Sequence, residues 1–133
     1  KGIQLFSTRV ETSPESVTQI PITEEIRSIA YTEDHMGVVT DNVEGQDPYS
    51  LKIYDKEGGL VFERTFNYQY TGFDIDGGLV LLYNDSSCKV FNMTGTEKYN
   101  GTFDFTVNKV SAGRFPGTLL VMGPQMMMEI KLQ

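Results

Sequence analysis

The sequence predicts an all-β protein built from antiparallel four-stranded meanders. Its apolar runs are short and rich in β-branched and aromatic residues, which is typical of strands. Turn signals separate the runs, for example Gly58-Gly59, Asp76-Gly77-Gly78 and Asn100-Gly101. Helical periodicity is confined to residues 23–29, a segment too short to support a helical fold.

A repeated segment narrows this fold class. Residues 50–58 read Ser, apolar, Lys, β-branched, aromatic, Asp or Asn, then a turn ending in Gly, and residues 87–95 repeat that pattern 37 positions later. An apolar run precedes each copy and an aromatic-bearing run follows it, so each unit holds four strands. A unit of roughly 40 residues is typical of a blade of a β-propeller.

The repeat divides the chain into four parts. Residues 1–25 are expected to end a preceding blade, because runs 3–6 and 17–20 match the third and fourth strands. Blades follow at 26–66 and 67–105, and residues 106–133 make a partial blade that lacks its outermost strand. A sandwich or barrel of 12 or 13 strands with chance self-similarity is the competing interpretation.

The segments 50–58 and 87–95 together resemble repeats of the WD40-like and PQQ-like β-propeller superfamily. The chain departs from true WD40 repeats, since it has no Trp and neither a Trp-Asp nor a Gly-His pair. It also resembles an uncharacterised clostridial family with an N-terminal membrane helix ahead of a propeller-like region. That resemblance implies an extracytoplasmic domain of a membrane-anchored bacterial protein, and it brings no known activity.

The charge balance limits the classes of partner. The 133 residues include 11 Lys plus Arg and 18 Asp plus Glu, a net charge of −7. This argues against nucleic acid, and against contact of this segment with an anionic membrane. Proteins, peptides or glycans are the expected partners.

The ends of the chain carry two expectations. Because residue 1 is Lys rather than Met and the repeats make little more than three blades, we expect an incomplete ring. Unpaired blade edges favour self-association, or completion of the last blade by the run 3–6.

Catalytic, cofactor and metal sites are not predicted. The single histidine, His35, falls in a turn, and the chain has no nucleophile elbow or phosphate-binding glycine loop. Cys88 occupies an inward strand position, where a buried thiol is expected. Asp74 and Asp76 are candidate Ca²⁺ ligands, but Asp76-Gly77 is better explained as the centre of a type I′ hairpin turn.

Two further patterns are predicted to lie in the core. Aromatic residues 66, 68, 70 and 73 are expected to pack between neighbouring blades. Alternation in the last strand places Met126, Met128, Ile130 and Leu132 on one buried face.

Function is predicted to be non-enzymatic: a recognition or scaffold module that forms the C-terminal part of a larger propeller. The insertion at residues 42–49 is longer than its counterpart in the next blade, and Glu44, Asp47 and Tyr49 are its candidate contact residues. Two alternatives stay open. The chain supports a hydrolase or quinoprotein-like propeller enzyme whose catalytic residues lie in absent blades, or it is a carbohydrate-binding or adhesion module.

Overall fold

The computed structural model describes residues 2–6 and 16–132, with side chains from residue 18 onward. This part of the chain is all-β and contains no helix. It forms thirteen strands: β1 (Gly2–Phe6), β2 (Ser16–Pro21), β3 (Ile26–Tyr31), β4 (His35–Asp41), β5 (Tyr49–Asp55), β6 (Leu60–Phe66), β7 (Gly72–Asp76), β8 (Leu79–Tyr83), β9 (Ser87–Asn92), β10 (Glu97–Thr102), β11 (Lys109–Ala112), β12 (Thr118–Met122) and β13 (Met127–Lys131).

The strands form four antiparallel sheets, each following chain order. Two sheets have four strands, β3-β4-β5-β6 and β7-β8-β9-β10, and we call them blade one and blade two. Blade three is the three-stranded sheet β11-β12-β13, and β1 pairs with β2 in a separate pair. The predicted fold class, repeated antiparallel meanders of a β-propeller type, is confirmed.

The expected closure of the last blade by the N-terminal run does not occur. Strand β1 pairs with β2 rather than with β13, so the run 3–6 does not complete blade three. The antiparallel register between β1 and β2 runs from Gly2 opposite Pro21 to Phe6 opposite Ser16. Among the described residues, β13 pairs with β12 alone.

The sheets stack face to face, because successive side chains of each strand point alternately to the two faces of its sheet and so toward the sheets on either side. In β5, Leu51 and Ile53 point toward blade two, whereas Tyr54 points toward β2. In β9, Val90 points toward blade three and Phe91 toward blade one. Three apolar layers result, and most of their central side chains are fully buried.

Several of the expected core positions are confirmed. Phe66 is buried between blades one and two, and Tyr68, Tyr70 and Phe73 pack against the same cluster. Ile75, between them and the β7–β8 turn, is also buried. A small residue permits this close packing, because an ideal Cβ on Gly37 would lie 2.9 Å from the Phe73 ring.

Two local predictions are wrong in part. The centre of the β7–β8 turn is Gly77-Gly78, with φ of 56° and 77°, one position later than Asp76-Gly77. Met126 and Met128 are 47% and 37% exposed, so the start of the last strand is not part of the buried face. Ile130 and Leu132 do pack against the buried cluster between blades two and three.

Membrane-spanning helices are not found: none of the described segments is a helix long and apolar enough to cross a bilayer.

Candidate functional site

The β4–β5 loop, residues 42–48, is held in one conformation by Asn42. Its backbone N–H donates to the Pro48 carbonyl at 2.9 Å, and its side-chain Nδ2 donates to the carbonyls of Asp47, at 2.9 Å, and Glu44. Asn42, at the start of the loop, is thus hydrogen-bonded to both its middle and its end. A loop bonded in this way presents its tip without the ordering cost that a flexible loop has on binding.

The tip of this loop faces solvent. Val43 is 76% exposed, one of the largest exposures of any apolar side chain in the described structure, and Glu44 is exposed beside it. Gly45 follows with a φ of 80° and open space around its Cα. An apolar side chain and a carboxylate are therefore presented together.

The three residues predicted for partner contact are not brought together. Glu44 is exposed at the tip, and the Asp47 Oδ2 accepts a hydrogen bond of 2.7 Å from the Thr65 hydroxyl on β6. The Tyr49 ring instead packs between blades, with its centroid 5.3 Å from that of Phe66 and 5.6 Å from that of Tyr70. Tyr49 thus supports the sheet beneath the loop.

A cleft of about 170 Å³ lies beside the loop on the face of blade one that points away from blade two. Its lining includes several side chains that were not among the predicted contact residues: Glu24, Asp41, Ser50, Lys52, Glu63 and Thr65. The pairing of β4, β5 and β6 brings the strand residues together, and Glu24 joins them from the segment before β3. Local patterns therefore predict the loop from its length, but not the other residues of this cleft.

Ion pairs organise the charges of the cleft. Lys52 Nζ lies 3.6 Å from Glu63 Oε2 and donates to the Ser50 hydroxyl at 3.2 Å. Asp41 pairs with Arg27 at 2.7 Å. Lys52 is the one basic residue of a lining that also contains four acidic residues, so the cleft is negative overall.

A buried hydroxyl lies next to this cleft. Thr40 is fully buried, and its Oγ1 has no hydrogen-bond partner in the described structure. Thr40 is directly opposite Ser50 in the β4–β5 register, so the two side chains share one face of the sheet. Ser50 is 5% exposed.

The residues considered for catalysis do not form a catalytic arrangement. His35 begins β4, at the end of the sheet opposite the β4–β5 loop. Burial raises the pKa of Cys88 to about 12, which keeps the thiol protonated and unreactive at neutral pH. The prediction that this cysteine is a buried apolar residue is confirmed.

The candidate Ca²⁺ ligands have other partners. Asp76 Oδ2 accepts a hydrogen bond of 2.9 Å from the backbone N–H of Ala112, which links blade two to blade three. Asp74 Oδ1 accepts from the N–H of Ile75, and its Oδ2 lies 4.0 Å from Lys109 Nζ. Over the described residues, no three metal-ligating side chains are grouped closely enough to hold an ion.

Comparison with known proteins assigns the chain to a family. A family model described as "Family of unknown function (DUF5711)" matches residues 1–132. The chain belongs to the DUF5711 family. The predicted resemblance to a family without known activity is thereby confirmed.

A structural neighbour supports the fold of this DUF5711 chain. The crystal structure of HIRA(644-1017), a WD40 β-propeller, matches it with a TM-score of 0.58 at 10% sequence identity. The match covers 82% of the chain and 35% of the HIRA chain. The chain thus spans about a third of that neighbour, and the likeness concerns the fold alone. No curated protein sequence is significantly similar to the chain.

Proposed function

We propose that this DUF5711 chain is a non-catalytic recognition module that binds a cationic segment of a protein or peptide through the β4–β5 loop and its cleft. The observation that carries the proposal is the loop that Asn42 ties down, which presents Val43 and Glu44 beside an acidic cleft. A ligand at this loop can therefore contact negative charge and an apolar side chain at the same time.

The electrostatics favour a basic ligand. Two cleft carboxylates are engaged by Arg27 and Lys52, but Glu24 and Glu44 add further negative charge. The whole chain carries a net charge of −7, which attracts cationic ligands over distances of about one Debye length, ~8–10 Å in ordinary buffers. A Lys or Arg side chain with an apolar neighbour matches both features of the loop tip.

The experiment uses an array of synthetic peptides of equal length that are basic, neutral or acidic. We expect basic peptides that contain an apolar residue to retain the chain on the array, and we expect this binding to be lost at high salt. The substitution Glu44→Lys is expected to reduce the retained signal about tenfold or more, because it reverses a charge at the loop tip.

The matched control is Glu57→Lys. Glu57 is exposed in the β5–β6 turn, at the opposite end of blade one, so it makes the same change in net charge away from the loop. Equal losses for the two variants would show that net charge alone attracts the peptides, and would contradict the assignment to this loop. Equal retention of basic, neutral and acidic peptides would contradict the proposed ligand class.

A further inference from the structure

Blade one has one face that is half covered. On its outer part, Ile20 and Ile22, from β2 and the segment after it, cover Val38 and Tyr54. On its inner part, Ile29 is 47% exposed and Tyr31 is 73% exposed. The exposed part is therefore the face of β3, the innermost strand, since Met36 and Val38 of β4 are 8% and 0% exposed.

A cavity of about 380 Å³ lies over this inner part. Its floor is apolar, formed by Ile29, Tyr31 and Met36. Polar residues, including Glu33, His35 and Lys56, stand at its rim. An apolar floor with a polar rim is the usual composition of a protein-docking surface.

Blade two shows what covers the same positions. Phe73 and Ile75 lie opposite Leu82 and Val80, as Ile29 and Tyr31 lie opposite Val38 and Met36. In blade two these equivalent positions are covered, since Ile75 is only 4% exposed and Phe73 is partly buried against the same cluster.

The cover on blade two is the β3–β4 hairpin of blade one. Ala30 and Val39 of that hairpin belong to the same buried cluster as Ile75 and Phe73. Gly37 leaves room for the two larger side chains, since an ideal Cβ there would lie within about 3 Å of both. The inner part of a blade is therefore covered by a two-stranded antiparallel hairpin with small side chains on its contact face.

The edge of β1 provides the second half of the site. In blade one, the inner strand β4 pairs with β5, and β6 pairs with the other edge of β5. Ile20 of β2 packs with Tyr54 on the outer part of blade one, as Phe62 of β6 packs with Phe91 on the outer part of blade two. In the described structure β1 pairs with β2 alone. The other edge of β1, which corresponds to the edge of β5 that pairs with β4, has no strand beside it there.

We propose that the cavity over Ile29, Tyr31 and Met36, together with the free edge of β1, is a docking site for an antiparallel β-hairpin from a polypeptide segment outside residues 1–133. The second strand of that hairpin pairs with β1, and its small apolar side chains cover Ile29 and Tyr31. Strand addition to an open edge, combined with side-chain pockets, is an established mode of recognition.

A second copy of the chain does not fit this site. The β3–β4 and β7–β8 hairpins each lie inside a four-stranded sheet, and each continues into a third strand. The β11–β12 hairpin continues into β13, which occupies the edge of β12 that would have to pair with β1. A second copy would have to displace β1 in order to dock.

The experiment adds a hairpin of this kind to the full chain. A copy of residues 26–48, which contains β3, β4 and the following loop, is fused directly ahead of Lys1. Thr18 lies against Gly58 as Phe62 lies against Gly95 in the next blade, and Thr18 pairs with Leu5 as Phe62 pairs with Ile53. Lys1 therefore takes the place of Tyr49, and this fusion preserves the native loop length. The chain has no tryptophan, so Tyr31→Trp in the host part gives a unique fluorescent reporter.

We expect the fusion to shift the reporter's emission to the blue and to raise the midpoint of urea unfolding, with the protein remaining monomeric. The control fusion carries Gly37→Asp and Val39→Asp in the added copy alone, and is expected to show neither effect. An unshifted emission in the first fusion would overturn the proposal, as would equal shifts in both. An unfused chain that dimerises with blue-shifted emission, reversed on dilution, would overturn it in favour of a second copy.

Discussion

The side chains of Asp55 and Asn92 accept the same two backbone hydrogen bonds at equivalent turns of blades one and two. Asp55 Oδ1 accepts from the N–H groups of Glu57 and Gly59, at 3.0 and 2.8 Å. Asn92 Oδ1 accepts from those of Thr94 and Thr96, at 3.0 and 2.9 Å. An oxygen at this position closes the β-turn between the third and fourth strands, whether or not it is charged.

The effect of a substitution at Asp55 on stability should therefore depend on whether the new side chain has a hydrogen-bond acceptor, and not on its charge. We expect Asp55→Ala to lower the free energy of unfolding by about 1–2 kcal/mol, because two N–H groups lose their acceptor. Asp55→Asn should change it by less than about 0.5 kcal/mol, since Asn92 already performs this role in blade two. Urea unfolding of the two variants measures the difference. Equal losses would show that the Asp55 charge is what matters.

Close packing between blades one and two should make Gly37 intolerant of a methyl group. An ideal Cβ at this position would lie 2.8 Å from Ile53 Cδ1 and 2.9 Å from the Phe73 ring. We expect Gly37→Ala to lower the free energy of unfolding by about 1–3 kcal/mol through overpacking. The cost should fall by at least about 0.5 kcal/mol in a Phe73→Leu background, where the opposing ring is absent. A double-mutant cycle tests this, and strict additivity would contradict the packing explanation.

The Cys88 thiol should be inert in the folded protein and should make stability fall at alkaline pH. Burial raises its pKa from 9.0 to about 12, so the folded state retains the proton while the unfolded state loses it. The stabilising contribution is thus complete below about pH 9 and is lost as the pH rises toward 12. At about pH 8, a disulfide reagent should react only after urea is added.

The control for the alkaline effect is Cys88→Val. Burial also raises the pKa of Tyr68 and Tyr70, so some loss of stability at high pH should persist in this variant. We expect the variant to show a shallower decline of unfolding free energy than the parent chain between about pH 9 and 10. Identical slopes would show that the thiol does not contribute.

Substitution of Tyr49 should lower the free energy of unfolding much more than substitution of Asp47, because Tyr49 packs between the blades and Asp47 lies at the surface. Tyr49→Ala removes a ring that contacts Phe66 and Tyr70, and we expect it to cost about 2–4 kcal/mol of unfolding free energy. Asp47→Ala removes one exposed hydrogen bond to Thr65, and its cost should stay below about 1 kcal/mol. Thermal and urea unfolding check both values. Comparable costs would contradict the placement of Tyr49 in the interblade cluster.

Local patterns predicted the strands well because they depend on alternation and turn residues. The repeat at residues 50–58 and 87–95 recurs as the equivalent turns at Asp55 and Asn92, with Gly58 and Gly95 both at positive φ. The β7–β8 turn was displaced by one residue because Gly77 and Gly78 both tolerate positive φ, and cross-strand register decided between the candidates. The exposure of Met126 and Met128 was missed for a related reason, since alternation assigns a face but not what covers it.

The candidate site was less accessible to prediction than the fold. The loop at 42–48 was identified by its length, and its exposed Glu44 was among the expected residues. Glu24, Lys52 and Glu63 were not, because they meet only when β4, β5 and β6 pair and the segment before β3 folds beside them. Tyr49 was expected at a binding surface, but its ring packs against the ring of Phe66 between the blades.

The sequence by itself determined the all-β class, the repeat of about 40 residues and the burial of Cys88, because these follow from local alternation, turn chemistry and net composition. The tertiary structure alone decided which faces are covered. It placed β1 against β2 instead of β13, and it left Ile29 and Tyr31 open where Phe73 and Ile75 are packed. Side-chain alternation gives every blade two apolar faces, but whether a face is buried depends on which sheet stacks against it.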